Sequence, residues 1–403
     1  MFKQMRTATK NAFMLGGMCC ISYLAVYIAR NVLSAVTPSL IENGLFNEKQ
    51  IGNLSSVYFF AYAVGQLING IIGDKIKAKY MISIGLALAG VFGIVFVPLV
   101  SFPLVATIVY GLTGFLLSMI YAPMTKVVAE NTEPIHAERT SIGYTFASFL
   151  GSPIAGLLAG LVAWYGVFNT SGIILIVMGL TCFVSFTIFE KKKIIQYNLY
   201  KPTKQQGGSI SVLFKRKIVK FTIVSITTGV VRTTVVFWMP TYFSQHLGYT
   251  PEQSATIFAA ATFVISFSAV LALMVYEKCN RNINTVLFGS FLISAVFFLL
   301  LFIVNSPILN IIIFVIAVMA ANSATTMLWS VYCPSLKDTG VVSSATGFLD
   351  FASYMAAASS TILFANAVES IGWGNLILIW CALMVIGVLV SIPKFNKKIK
   401  AEV

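Results

Sequence analysis

Apolar stretches of about 20 residues or longer recur along this chain, and they constrain its fold more than any other feature. A helix of that length crosses the hydrocarbon of a bilayer. Because lipid offers no hydrogen-bond partners, a backbone inside it must form helices or a closed barrel. Barrel strands would alternate apolar and polar residues over about ten positions, and these stretches do not alternate. The pattern therefore predicts an all-α membrane protein.

The composition supports a membrane location. Hydrophobic residues make up 58% of the 403 positions, charged residues make up 10%, and the mean hydropathy is +0.88. A soluble domain carries about 25% charged residues, so we expect membrane lipid to surround this chain. The six cysteines show no metal-site spacing. We expect neither a metal nor a cofactor.

Clusters of polar, Gly and Pro residues divide the chain into twelve predicted membrane helices. They span 12–40, 52–73, 80–99, 103–128, 139–164, 167–189, 218–246, 253–276, 283–304, 307–333, 341–368 and 371–393. One long hydrophilic connection, the basic linker 190–217, separates two predicted six-helix bundles, 1–189 and 218–403.

The basic residues predict the orientation. If the N-terminus lies in the cytoplasm, 24 of the 27 Lys and Arg fall on or beside the cytoplasmic face. Lys49 lies on the other face, and Arg30 and Arg232 lie within helices. Cytoplasmic loops of membrane proteins carry an excess of Lys and Arg. We therefore expect a multi-pass protein of the plasma membrane (a bacterial inner membrane) with both termini cytoplasmic, and the net charge of +14 does not indicate a nucleic-acid partner.

The two predicted bundles resemble each other. Arg30 is followed eight residues later by Pro38, and Arg232 is followed eight residues later by Pro240. Four further pairs recur in the same order: Glu48-x-Gln50 with Glu252-Gln253, Asp74-Lys75 with Glu277-Lys278, Tyr121-Ala-Pro123 with Tyr332-Cys-Pro334, and Phe146-Ala-Ser148 with Phe351-Ala-Ser353. Such a repeat predicts two bundles related by a pseudo-twofold axis, with a binding site between them near the midplane.

Two arginines inside the membrane require an explanation. Placing Arg at the centre of a membrane helix costs about 2.5–3.5 kcal/mol. Of the thirteen Asp and Glu, only Asp350 lies deep in an apolar segment. At least one of Arg30 and Arg232 is therefore expected to lack a fixed ionic partner, and a small anionic substrate would supply the charge, since guanidinium groups bind phosphate in bidentate geometry. The alternative is that each arginine bonds to helix carbonyls or water.

Two motifs surround these arginines: Tyr27-x-x-Arg30-Asn31 followed by Pro38, and Arg232 followed by Trp238-x-Pro240-x-Tyr242. Together they resemble the organophosphate:phosphate antiporters of the major facilitator superfamily, over nearly the whole chain. The resemblance implies a monomeric secondary transporter that exchanges a phosphate ester for inorganic phosphate by alternating access. It implies that Arg30 and Arg232 bind the phosphate. It also places tyrosines in the cavity: Tyr23, Tyr27, Tyr62 and Tyr354. Their alternative is the ordinary enrichment of Tyr at membrane interfaces.

The chain departs from that family at three positions. Gln66 stands where the glycerol-phosphate branch has a cavity Lys, Leu150 stands where it has a His, and Asp350 replaces a small residue. Asp350 is open to four interpretations. It could pair with an arginine, which we favour, bind a proton, recognise a substrate hydroxyl or amine, or point into a wet gap.

A cytoplasmic turn runs from Gly70 to Lys79 and resembles the superfamily's loop signature of Gly, Asp and basic residues. By this resemblance Asp74, Lys75 and Lys79 are gating candidates, with Glu277 and Lys278 as their counterparts in the second half. The alternative is a turn that is basic only because of its topology.

Two other functions stay open. A proton-coupled symporter of organic anions such as sugar acids would use Asp350 as its proton site. A transporter-like sensor of sugar phosphates would bind its ligand and signal to a partner. The sequence offers no nucleophile constellation and no Gly-rich phosphate loop, so we do not expect an enzyme.

Overall fold

The structure is a computed structural model that describes residues 2–73, 76–196, 211–336 and 342–392. These residues form helices joined by short turns, and no strand occurs among them. The first six helices are α1 (Phe2–Glu42), α2 (Glu48–Gly73), α3 (Ala78–Leu99), α4 (Pro103–Leu117 and Tyr121–Asn131), α5 (Pro134–Leu161) and α6 (Trp164–Lys191).

The last six helices contain more breaks. They are α7 (Ile218–Gly229, a π-helical turn Val230–Val235, and Val236–Gln245), α8 (Pro251–Ser266 and Ser268–Lys278), α9 (Ile283–Ile303), α10 (Pro307–Thr326, a π-helical turn Met327–Tyr332, and Cys333–Ser335), α11 (342–371) and α12 (373–391). A short helix, Ser211–Lys215, precedes α7. The helices α11 and α12 are two arms of one stretch, Val342–Ser391, which bends where Gly372 adopts φ 75° and ψ 172°. Only Gly occupies such a conformation without strain.

The sequence sets where the helices begin. Pro103, Pro134, Pro251 and Pro307 each stand in the first turn of a helix, where a missing N–H costs nothing and the fixed φ suits the helix. At the start of α8 the side chain of Thr250 accepts from the backbone N–H of Gln253, which forms a capping box. The structured part of α1 begins at Phe2, well before the predicted residue 12.

Among the described residues, ten helices are long and apolar enough to cross a membrane. One of them, Ala345–Ser391, is 47 residues long and contains the bend at Gly372. The apolar part of α5, Phe146–Leu161, is shorter than a full span. Twelve passes result only when both arms of the long helix and α5 are counted. The predicted domain boundaries stay a prediction, and 197–210 of the linker lies outside the described residues.

Turns alternate between two ends of the bundle. We call the end where α1 begins the basic side, because its turns carry Lys77, Lys192, Lys193, Lys217 and Arg281. The other end is the opposite side. Hydrogen bonds and close helix contacts join the two halves of the chain there.

Three contacts join the two halves on the opposite side. Ser34 Oγ of α1 donates to the carbonyl of Phe237 in α7 over 2.6 Å. Gln245 at the end of α7 donates to Glu48 at the start of α2. Gly52 of α2 lies so close to α11 that a Cβ there would be 2.6 Å from Ala365 Cβ. The halves therefore lie against each other on the opposite side.

Candidate functional site

A cavity of about 60 Å³ lies between the two halves of the chain, near the middle of the helices. One water requires about 10–15 Å³ of such space, so the cavity has room for about four to six waters. Its walls come from six helices of both halves. Its lining residues are Tyr27, Arg30 and Asn31 of α1, Phe59 of α2, Ser148, Phe149 and Ser152 of α5, Arg232, Thr233, Val236 and Phe237 of α7, Thr262 and Ile265 of α8, and Asn322 of α10.

Arg30 lies inside a cage of aromatic rings. Its guanidinium carbon is 4.8 Å from the ring centre of Tyr354, 5.2 Å from that of Tyr27, 5.3 Å from that of Tyr62 and 5.4 Å from that of Phe59. Its Nη1 donates to the hydroxyl of Tyr354 over 2.7 Å. Ring faces attract cations, and the attraction grows when the site is desolvated. The cage therefore offsets part of the cost of placing this charge in the membrane.

Arg232 projects from the π-helical turn of α7. Its Nη2 donates to the hydroxyl of Tyr27 over 3.1 Å. A π-helical turn inserts an extra residue, shifts the side chains that follow it, and is frequent at functional sites. The π-helical turn ends at Val235, shortly before Pro240, which lacks an N–H and so removes one backbone hydrogen bond of the helix. The local irregularity of α7 thus sets where Arg232 meets the cavity.

Neither arginine has a carboxylate partner within 4.0 Å in the part of the chain that the structure describes. The two guanidinium groups are near enough to repel each other electrostatically. Asp350 lies near enough to both of them for their charges to interact with its carboxyl group. The cavity wall therefore holds two positive charges and no negative one among its lining residues.

Direct pairing of Asp350 with an arginine, the interpretation favoured from the sequence, is absent from this structure. Both arginines instead donate to phenol hydroxyls. Asp350 lies one helical turn before Tyr354 on α11, near Tyr121 and Cys333. It is half-buried and does not line the cavity.

The four predicted tyrosines lie together. Tyr62 contacts Tyr354 edge to face with ring centres 5.0 Å apart. Tyr23 contacts Tyr27 in the same way, also at 5.0 Å. All four are at most 7% exposed, so they do not belong to an interfacial belt of exposed rings. Of the four, Tyr27 alone lines the cavity, and the rings of Tyr27, Tyr62 and Tyr354 surround the Arg30 guanidinium.

A comparison with protein families identifies the fold family. The family model described as "Major Facilitator Superfamily" matches residues 19–361. The chain belongs to the major facilitator superfamily. This is a family of transporters, and the chain is not an enzyme.

Three curated relatives narrow the comparison. The "Membrane sensor protein UhpC" of Escherichia coli (strain K12) is 30% identical over 76 residues, 19% of this chain and 17% of that protein. The "Glycerol-3-phosphate transporter" of Bacillus subtilis (strain 168) is 22% identical over 257 residues, 58% of both chains. The "Hexuronate transporter" of the same organism is 25% identical over 277 residues, 64% of this chain and 63% of that protein. In each case the match spans less than two thirds of the relative's length.

A solved structure supports the fold. The "Crystal structure of D-xylose-proton symporter" superposes with a TM-score of 0.73 at 14% identity, over 97% of this chain and 99% of that chain. At this identity the likeness concerns the fold alone. It agrees with an all-α major facilitator protein.

The predicted gating residues that the structure describes in this major facilitator protein are Lys79, Glu277 and Lys278, and they do not line the cavity. Asp74 and Lys75 lie outside the described residues. Lys79 forms a salt bridge of 2.6 Å with Glu190, which joins the start of α3 to the end of α6. Glu277 and Lys278 end α8 on the basic side, both exposed. Their gating role stays a prediction.

The structure also shows the positions of Gln66, which was predicted as a site residue, and Asn322, which was not. Gln66 is half-buried one turn after Tyr62, and it does not line the cavity. Asn322 lines the cavity and was missed. It is 3% exposed, and its Oδ1 has no hydrogen-bond partner in the described structure. An amide in the apolar run of α10 was a signal of the same kind as the membrane arginines.

Proposed function

We propose that this protein is a secondary active transporter that exchanges organic phosphate esters for inorganic phosphate. The observation that carries the proposal is the pair of guanidinium groups that line one cavity, neither with a carboxylate partner in the described part of the chain. Phosphate oxygens accept bidentate, charge-assisted hydrogen bonds from arginine. A bound dianion would thus supply the missing charge.

The phenols hold the arginines where an anion would bind. Tyr354 and Tyr27 accept from Arg30 and Arg232, respectively. A phosphate oxygen is a stronger acceptor than a neutral phenol, so the substrate takes over these donors. Each released phenol can then donate its own proton to the anion.

Exchange follows from the position of the two charges on different halves of the chain. Arg30 lies on α1 and Arg232 on α7, and their like charges disfavour tight closure around an empty cavity. An anion bound to both offsets that repulsion and links the halves. The loaded protein therefore changes conformation and the empty one does not, which makes the transport an exchange.

The charge of the turns indicates how the protein is oriented in the membrane. The basic side faces the cytoplasm, as the excess of Lys and Arg in its turns indicates. The protein acts as a monomer in a bacterial plasma membrane, and its basic turns contact anionic headgroups. The bundles 1–189 and 218–403 move about the cavity, with 190–217 as their connection.

One relative supports a phosphate ester as the substrate, because it is named as a glycerol-3-phosphate transporter. Another relative is named as a membrane sensor. The hexuronate transporter matches more of this chain than either does, and it favours a second candidate. That candidate is a proton-coupled symporter of sugar acids with Asp350 as the proton site.

Transport by purified protein in proteoliposomes tests the proposal. Vesicles loaded with phosphate should take up labelled phosphate, and empty vesicles should not. Glycerol 3-phosphate and hexose 6-phosphates should compete, and glucuronate should not. Uptake of glucuronate driven by an imposed pH gradient, without phosphate exchange, would replace the proposal with the symporter. Ligand-dependent stabilisation without any turnover would favour a sensor.

A further inference from the structure

We infer that Asn322 and Thr262 form a specificity subsite that binds a hydroxyl group on the body of the substrate. This inference rests on the proposed function, because it assumes that the two arginines bind the phosphate end. It further proposes that the rest of the ester extends from the phosphate toward α8 and α10.

Asn322 carries unused hydrogen-bonding capacity in a place where such capacity is costly. It is 3% exposed on α10 and lines the cavity. Its Oδ1 is buried without a partner in the described structure. A buried polar atom left unpaired costs about 1–3 kcal/mol. Of the buried unpaired side-chain atoms in the described structure, Asn322 Oδ1 is the one that belongs to a cavity-lining residue. A ligand atom in the cavity would provide the missing partner.

Thr262 complements Asn322 from the neighbouring helix. It is 4% exposed on α8 and lines the same cavity. Its Oγ1 donates to the carbonyl of Phe258 over 2.6 Å, so its proton is already used. What Thr262 can still offer the cavity is an acceptor lone pair. Together with Asn322 Oδ1, this wall presents acceptors.

The cavity lining thus carries two kinds of hydrogen-bonding group. Arg30 and Arg232 have only donors, and they select acceptor oxygens such as those of phosphate. Asn322 and Thr262 add acceptors, and the Nδ2 of Asn322 also donates, so the pair suits a group that both donates and accepts, such as a hydroxyl. No carboxylate lines the cavity among the described residues, so the wall favours a neutral donor over an ammonium. A hydroxyl-bearing ester provides partners for both kinds of group, whereas an alkyl phosphate leaves the acceptors unpaired.

The experiment measures discrimination between two esters that differ in hydroxyl groups alone. Inhibition constants of glycerol 3-phosphate and n-propyl phosphate are determined against labelled phosphate exchange, for wild type, Asn322→Leu and Thr262→Val. Wild type should prefer the hydroxylated ester by roughly tenfold or more, as expected for one or two buried hydrogen bonds. In Asn322→Leu the ratio should fall to within about threefold of unity. The readout is the ratio, which does not depend on the amount of active protein.

Ser323→Ala serves as the matched control. Its hydroxyl donates to the carbonyls of Met319 and Ser268, and it does not line the cavity. Its ratio should equal that of wild type. If Asn322→Leu is too unstable to assay, two other measurements test the subsite. They are the inhibition ratio of Thr262→Val and the thermal stabilisation of wild type and Thr262→Val by each ester.

The experiment distinguishes failure of the Asn322–Thr262 subsite from failure of the proposed exchange function. Equal inhibition by both esters in an active wild-type exchanger, or an unchanged ratio in both variants, overturns the subsite and leaves the exchange proposal intact. Absence of phosphate exchange in wild type overturns the proposed function itself, and the subsite inference with it.

Discussion

The hydroxyl of Tyr27 in α1 accepts a hydrogen bond from Nη2 of Arg232 in α7 over 3.1 Å. A second bond crosses in the other direction, from Arg30 of α1 to the hydroxyl of Tyr354 in α11. Each membrane arginine is thus held by a phenol from the other half of the chain. Any ligand that draws the guanidinium groups away from these phenols also changes the contacts between the halves.

Replacing Tyr27 with Phe should weaken phosphate binding by about two- to tenfold, the value of one hydrogen bond. The change removes the acceptor that holds Arg232 at the cavity and the donor that would meet a bound anion. The ring and its contact with Tyr23 remain. The measurement is the dissociation constant of phosphate for purified protein. Tyr165→Phe, at an exposed ring on α6, is the control, and tighter binding in Tyr27→Phe would show that the phenol only competes with the anion.

Replacing either arginine with Lys should reduce phosphate affinity by about ten- to a hundredfold. Lysine keeps the charge but loses the planar fork that binds two oxygens at once, and charge-assisted hydrogen bonds contribute about 1.5–3 kcal/mol each. Arg30→Lys and Arg232→Lys should behave alike, because both groups line the cavity. Binding and exchange are measured together.

The control for that pair is Arg281→Lys, at an exposed turn on the basic side. It keeps the same chemical change away from the cavity. Full exchange activity in either membrane variant would show that a point charge suffices there, and would count against bidentate phosphate binding.

The helices were predictable from the sequence because their determinants are local. Apolar length fixes the spans, and Pro in the first turn or Gly at φ 75° fixes several boundaries. The early start of α1 was not, since its first residues are polar. Hydropathy detects spans and not the helix that extends beyond them.

The site was predictable in part. Arg30 and Arg232 stand out because charges in a membrane helix are costly. The partners of these arginines were not foreseeable, because they depend on side-chain geometry at the interface of two halves far apart in sequence. Pairing with Asp350 was favoured on charge alone, and the phenols of Tyr27 and Tyr354 take the donors instead. Thr262 was missed because a Thr that bonds to its own helix is ordinary in a membrane.

Replacing Asp350 with Asn should tighten phosphate binding by about two- to tenfold. Asp350 lies near enough to both arginines for the charges to interact, and removal of its negative charge raises the positive potential that an anion experiences. Phosphate exchange should continue. Glu369→Gln, at an exposed position near the end of α11, is the matched control. Loss of uptake in Asp350→Asn, together with a wild-type dependence on a pH gradient, would contradict exchange and favour proton coupling.

Replacing Gly52 with Val should block exchange and preserve phosphate binding. At Gly52 a Cβ would lie 2.6 Å from Ala365 Cβ and 3.2 Å from the carbonyl oxygen of Thr361, so α2 and α11 could not meet on the opposite side. Overpacking of this kind costs about 1–3 kcal/mol, which shifts a two-state equilibrium by roughly five- to a hundredfold away from the closed form. Alternating access requires that form, so labelled phosphate exchange should fall by about that factor. Gly289→Val on α9 is the control, because nothing lies within 4 Å of a Cβ there. Wild-type exchange in Gly52→Val would show that close contact of α2 and α11 is dispensable, whereas loss of binding and of thermal stability together would indicate a folding defect instead of a blocked conformational change.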